Sequence, residues 1–201
     1  MIKGSLLLSI FLLGGELGAA TFTVKGGLNQ SALVSGYTEK SLTGFQFSLA
    51  REWRLAGNLF LAPELAFVRR GTAEGIPSFG SAVTNRIRLD CLEVPLLLRW
   101  RPGKSAAGFR PVFYAGGYAA YVLSMRSEME SGDQSWVEPV SDDVKRLDFG
   151  WVAGAGFEFP LFGRTFVCEG RFHMGLTQLN KISYYQAWKT SSLSLLVGMR
   201  L

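Results

Sequence analysis

The chain has 201 residues, 48% hydrophobic and 13% aromatic, with 24 glycines and a formal net charge of +5. That length supports one domain, and the basic residues are scattered rather than gathered in a run, which excludes a nucleic-acid footprint. After the N-terminal segment, charges or glycines interrupt every hydrophobic run before it reaches the roughly 18 residues of a membrane helix, so only a closed β-barrel would let this chain cross a bilayer with its backbone satisfied.

The chain opens with Met1-Ile2-Lys3, an apolar run from Leu6 to Leu13, and Gly18-Ala19-Ala20. A basic start, a short apolar stretch and small residues form the pattern of a secretory signal, with cleavage expected after Ala20. No cysteine follows to serve as a lipoprotein anchor. The expected division is a signal peptide over 1–20 and a single β-barrel domain over 21–201.

Period-two alternation then recurs eight times, each time over about ten residues, the length of a tilted membrane strand. In the first segment Phe22, Val24, Gly26 and Leu28 oppose Thr23, Lys25, Gly27 and Asn29; in the second, Phe45, Phe47 and Leu49 oppose Gln46, Ser48 and Ala50. The third sets Leu59, Leu61, Leu65 and Phe67 against Ala62, Glu64 and Ala66. The fourth is the clearest, with Leu92, Val94, Leu96, Leu98 and Trp100 against Cys91, Glu93, Leu97, Arg99 and Arg101. Pro111 to Leu123 forms the fifth, too rich in alanine, glycine and tyrosine for its faces to be assigned. The sixth opposes Phe149, Trp151, Phe157 and Phe159 to Asp148, Val152 and Glu158. The seventh opposes Phe166, Cys168, Phe172 and Met174 to Val167, Glu169, Arg171 and His173. The last runs to the chain end, with Leu193, Leu195, Val197 and Met199 against Ser194, Leu196 and Arg200.

The connections alternate as well. Long ones at 29–42, 70–86, 125–146 and 177–190 are interleaved with short ones at 52–57, 102–109 and 160–164. Long extracellular loops and short periplasmic turns are the pattern of bacterial outer-membrane barrels, and turn chemistry such as Pro102-Gly103 and Phe162-Gly163 marks the short ones. Trp53, Trp100, Phe113, Phe159 and Phe166 fall near strand ends, where an interfacial girdle is expected.

The alternation alone fits a soluble barrel equally well, and the decision rests on which face is greasy. One face is free of charge between 59 and 67 and between 92 and 100, a surface that would aggregate in water and is required in lipid. The other carries Lys25, Glu64, Glu93, Arg99, Arg101, Glu158, Glu169, Arg171 and Arg200. Enclosed in a lumen that side chains fill, these must pair, and the expectation is a polar network in which Arg171 or Lys25 holds Glu64 and Glu93 on adjacent strands. Cys91 and Cys168 fall on opposite faces of non-adjacent strands, so both thiols are expected to be free.

Several segments extend the resemblance beyond pattern: Val24-Lys25-Gly26-Gly27-Leu28-Asn29, Leu61-Ala62-Pro63-Glu64-Leu65, Leu92-Glu93-Val94-Pro95-Leu96-Leu97, Tyr114-Ala115-Gly116-Gly117-Tyr118, Phe149 to Glu158, and Glu169-Gly170-Arg171-Phe172. Together they resemble the bacterial outer-membrane β-barrel family that includes PorT-like and "porin family" proteins, small barrels of the OmpA/OmpX type. The resemblance covers essentially all of 21–201. It implies an all-β fold, an eight-stranded antiparallel up-and-down transmembrane β-barrel in the bacterial outer membrane, and carries over no catalytic residue. Leu201 departs from the aromatic residue with which many such barrels end.

Other chemistry is sparse. Gly103-Lys104-Ser105 lacks the upstream glycine of a phosphate loop, and a single histidine, His173, cannot build a site needing several imidazoles. His173 with Glu169 and Ser192 or Ser194 sketches a hydrolase arrangement. Glu128, Glu130, Asp133, Glu138, Asp142 and Asp143 offer carboxylates for a divalent cation or simply a solvated loop, and Tyr184, Tyr185 and Trp188 a partner contact. The favoured reading is a non-catalytic structural or interaction protein of the envelope, monomeric, in contact with outer-membrane lipid and an envelope protein partner, with no metal, cofactor or nucleic acid. A narrow passive channel or transport-associated component is the alternative, and an outer-membrane hydrolase stands third.

Overall fold

In the computed structural model the residues described are 21–34, 40–78, 81–103, 108–131, 134–139, 145–179 and 189–201. The signal peptide expected over 1–20 lies outside them, as do Lys104, Asp133, Asp142, Asp143, Tyr184, Tyr185 and Trp188.

The strands are β1 (Thr21–Val34), β2 (Lys40–Ala56), β3 (Leu59–Ser78), β4 (Ser81–Trp100), β5 (Arg110–Ser131), β6 (Gln134–Pro139), β7 (Leu147–Leu161), β8 (Arg164–Gly175) and β9 (Lys189–Arg200). All pairings are antiparallel. The order β4-β3-β2-β1-β9-β8-β7-β5 closes through β4–β5 into an eight-stranded barrel. The short β6 stands outside the ring and pairs with the far end of β5, whereas β7 pairs with the near part, Arg110 to Tyr121. Closure leaves the barrel without free edges, as a bilayer demands.

At one end the strands turn tightly. Phe162 and Gly163 both have positive φ (50° and 72°), the backbone of a two-residue hairpin turn whose twist matches that of its strands, and the Phe162 side chain stands free in solvent. At the other end the structure departs from the sequence expectation. Much of the stretch read as loop over 70–86 is strand, because β3 and β4 continue as a hairpin to Ser78 and Ser81; β5 likewise runs to Ser131 and returns through β6. Beyond the bilayer both faces of a ribbon are wet, so its residues need not alternate and the strand signal fades. At the edge of the belt Arg69 points outward on β3, while Arg70 beside it is buried in the lumen.

Within the barrel the faces are sharply divided. On β4 Cys91, Glu93, Leu97 and Arg99 are buried while Leu92, Leu96, Leu98 and Trp100 are exposed. β5 turns Val112, Tyr114, Tyr118, Ala120 and Val122 inward. A register shift places Cys91 opposite Val122 but Asp90 opposite Ser124, so Leu123 is an extra residue and the inward parity changes to Met125 and Ser127 beyond it. The outward apolar belt runs from Leu92 to Trp100 on β4 and from Phe166 to Met174 on β8, with Leu176 just past its end. Polar residues end it on one side at Thr43, Arg69 and Asp90 and on the other at Arg54, Arg110 and Arg164. Near the short turns, Trp100 and Phe113 lie 6.0 Å apart between ring centroids, and Phe159 is 5.8 Å from Phe109 and 6.1 Å from Phe166, an aromatic girdle at the belt's edge.

Candidate functional site: the charged lumen

The inward side chains form three tiers. Nearest the short turns, Arg101 on β4 donates to Glu158 from Nε (2.9 Å) and Nη2 (2.7 Å) and to Glu52 from Nη2 (2.6 Å). Arg200 on β9 donates to the same two carboxylates at 2.7 and 3.1 Å. Phe60 lies 4.2 Å below the Arg101 guanidinium, which stacks over its ring.

The middle tier is the most enclosed. Lys25 on β1 donates to Glu64 on β3 and, at 3.2 Å, to Glu169 on β8. Arg171, two residues along β8, donates to both oxygens of Glu64 (2.8 and 3.1 Å) and to Glu169 (3.1 Å). Arg99 reaches Glu169 and lies 3.2 Å from Glu52, which joins the first two tiers. The guanidinium carbons of Arg99 and Arg171 each lie 5.2 Å from the Tyr114 ring, whose hydroxyl donates to the Gly170 carbonyl.

In the third tier Arg70 donates to Glu93, whose other oxygen lies 3.0 Å from Nε2 of His173. Asp148 accepts from Thr190 (2.9 Å) and Tyr118 (3.2 Å). Above it the lumen becomes apolar: Ile87, Leu89, Val122, Met125 and Leu179 cluster there.

Eight of the nine charged residues singled out in the sequence are at most 3% exposed in the lumen; Arg200, at the mouth, has a side chain 22% exposed. Two partnerships differ from the sequence expectation. Arg171 and Lys25 hold Glu64 but not Glu93, which takes Arg70 and His173 instead. His173 therefore faces Glu93 rather than Glu169, whose oxygens are engaged by Lys25, Arg99 and Arg171. Ser194 donates to Gln46, and Ser192 stands opposite His173 in the β8–β9 ladder.

Glu52, Arg70 and Asp148 complete the set. Among the described residues the lumen gathers the cations Lys25, Arg70, Arg99, Arg101, Arg171 and Arg200 and the acids Glu52, Glu64, Glu93, Asp148, Glu158 and Glu169, six of each; Arg51, also buried, lies outside this set beside the rings of Phe22 and Trp53. That balance is what burial requires, because each uncompensated charge in a low-dielectric interior costs several kcal/mol. Chemically the arrangement can bind, pack and brace; its polar atoms face one another.

Outside the barrel wall, past the belt, Arg69 donates to Asp90 at 2.6 and 3.0 Å, Arg88 to Glu128 at 3.0 Å, and Arg86 lies 3.1 Å from Glu130. The Arg69 hydrogen bond holds the Asp90 carboxyl below its ordinary range. Two of the carboxylates considered for a cation are thus held by arginines.

A closed ring of eight antiparallel strands, greasy outside and ionised within, defines an outer-membrane β-barrel protein. The chain belongs to the family of the outer membrane protein beta-barrel domain, which it matches over residues 17–181. No protein of curated function matches its sequence. Among solved structures it is similar to the outer membrane protein OprG from Pseudomonas aeruginosa, with 14% identity over 91% of this chain and 96% of that one at a TM-score of 0.52. It is also similar to neisserial surface protein A (12% identity, 90% and 98% covered, TM-score 0.49) and to Ail, the attachment invasion locus protein of Yersinia pestis (14%, 90% and 99%, TM-score 0.42). At 14% identity the likeness to OprG is one of fold.

Proposed function

We propose that this protein is a closed, non-conducting and non-catalytic barrel with a structural or interaction role in the bacterial envelope, exercised through the strands that project beyond the bilayer. The observation that carries this reading is the filled lumen: charged or polar side chains from all eight barrel strands meet across it, from Lys25 on β1 to Arg200 on β9, and an apolar cluster sits above them. A pore needs water along its axis, and a barrel of eight strands has room only for its own side chains. A hydrolase needs a nucleophile and base that a substrate can reach, and His173 and Ser192 are 1% and 3% exposed. Export by a signal peptide cleaved after Ala20, an outer-membrane location and a monomeric state in lipid with an envelope protein as partner belong to the same proposal.

Planar-bilayer recording on the refolded protein tests it, with silence expected; reproducible unitary steps would favour the narrow channel instead. For the interaction role, photo-crosslinking residues placed at Trp136 and Val137, exposed on β6, should capture an envelope protein in intact cells. N-terminal sequencing of the outer-membrane fraction should begin at Thr21.

A further inference from the structure

On the outer wall two arginines stand directly opposite each other: Arg88 on β4 and Arg126 on β5 are ladder partners. Like charges so placed repel, and a single carboxylate, Glu128, bonds Arg88 at 3.0 Å. Both face outward, because Arg88 shares the parity of Leu92 and the extra residue Leu123 brings Arg126 to the same side. Arg69 lies on the neighbouring strand β3, bonded to Asp90, and Arg146 adjoins β5, its Nη1 3.5 Å from the Tyr121 hydroxyl. Counting the Arg86–Glu130 pair on the same wall, Asp90, Glu128 and Glu130 stand against Arg69, Arg86, Arg88, Arg126 and Arg146 among the described residues, an excess of positive charge.

Position gives the excess its meaning. Asp90 is the first outward residue on β4 past Leu92, where the apolar belt ends, and Arg88 the next. The cluster therefore sits at the level of lipid headgroups rather than in open water. Farther down the same strand, beyond the outward Leu123 and Tyr121, β5 presents Ala119, Gly117 and Ala115 outward; Gly117 lies between Leu96 on β4 and Trp151 on β7, so that small residues form a furrow between large ones in the lipid-facing wall.

We propose that this face binds a phosphate-bearing lipid of the outer leaflet: the guanidinium groups of Arg88 and Arg126 take the headgroup phosphate between them, which relieves their repulsion, and an acyl chain lies in the β5 furrow. Guanidinium is suited to this by its paired, planar donors. Free phosphate would satisfy the arginines but would make no use of the furrow. The inference rests on the barrel and its orientation, and stands apart from the envelope role proposed above.

The test is native mass spectrometry of the intact barrel released from detergent micelles doped with phosphatidylglycerol or, at matched concentration, phosphatidylcholine. The wild-type barrel should retain the anionic lipid preferentially. The double variant Arg88→Gln with Arg126→Gln should lose about twenty-fivefold of that retention, about fivefold for each surface arginine removed. Gly117→Leu, which fills the furrow and leaves the arginines in place, should also reduce retention, while Arg164→Gln at the opposite rim should not. Heat-modifiable migration checks that each variant is folded. Wild-type retention by the double variant would overturn the proposal; so would wild-type retention by Gly117→Leu together with displacement of the lipid by inorganic phosphate, which would mark a simple anion site.

Discussion

Arg171 on β8 reaches across the lumen to Glu64 on β3, its Nη1 2.8 Å from one carboxylate oxygen and its Nη2 3.1 Å from the other. Both side chains are fully enclosed. In such a place the pair's worth lies less in its attraction than in the cost of breaking it, since removing one partner strands a charge that water cannot reach. Arg171→Met should accordingly destabilise the folded barrel by about 3–5 kcal/mol. Adding Glu64→Gln restores neutrality, with Lys25 and Arg99 still facing Glu169, and should recover most of the loss. Urea unfolding in detergent or lipid measures both; a double variant as unstable as the single one would refute the network account.

The third tier gives a second case with a built-in contrast. Glu93→Leu leaves Arg70, itself 2% exposed, without its carboxylate, and should lower the temperature at which the barrel loses its compact gel migration. Asp90→Asn removes a carboxylate of similar bonding from the outer wall, where Arg69 keeps access to solvent, and should cost under about 1 kcal/mol. Equal effects of the two substitutions would mean that enclosure is not what makes the lumen pairs matter.

These two acids also illustrate how far the sequence could be read. Glu93 sits just inside the edge of the belt, between Leu92 and Val94, and its inward direction follows from strict alternation with lipid-facing neighbours. Its partner Arg70 does not: it adjoins Arg69, and with polar residues on both faces the period-two signal ends at Val68. Glu52 was hidden in the same way at the other end, beside Arg51, which is buried near the rings of Phe22 and Trp53 despite its outward parity. The extensions of β3, β4 and β5 past the bilayer lack the outward-apolar alternation of the belt on the same ground. Lipid on one side and an enclosed lumen on the other impose the pattern, and where water replaces lipid the constraint lapses. The faces of β5 escaped because alanine and glycine are too small to declare a side, although its bulge at Leu123 and the furrow depend on them.

Glycines in the wall provide a steric test. A methyl group on Gly27, inward on β1, would collide with the carbonyl of Leu195 on β9, a backbone atom that cannot swing aside. Gly170, outward on β8, has its nearest neighbour, the Ala155 carbonyl, 3.9 Å from the same added carbon. Gly27→Ala should therefore destabilise by about 1–3 kcal/mol through overpacking, whereas Gly170→Ala should be neutral or slightly stabilising. Side-by-side refolding titrations distinguish them, and indifference at Gly27 would contradict the close approach of β1 and β9.

The two thiols report the orientation of the wall independently of charge. Both are free; Cys91 on β4 is buried on the inward face at 4% exposure, and Cys168 on β8 is half-buried on the outward one. In the folded barrel a lipid-soluble maleimide should label Cys168 slowly from the hydrocarbon while Cys91 stays unmodified until unfolding, and a water-soluble maleimide should label neither at an appreciable rate, because it enters neither the hydrocarbon nor the packed lumen. Intact-mass measurement before and after denaturation counts the labels, and the Cys168→Ala variant assigns them. Labelling of Cys91 in the native state from the aqueous side would mean that the lumen admits reagent along its axis, which the packed tiers of Arg99, Glu169 and Arg171 on one side and the apolar cluster of Ile87, Leu89, Met125 and Leu179 on the other do not allow.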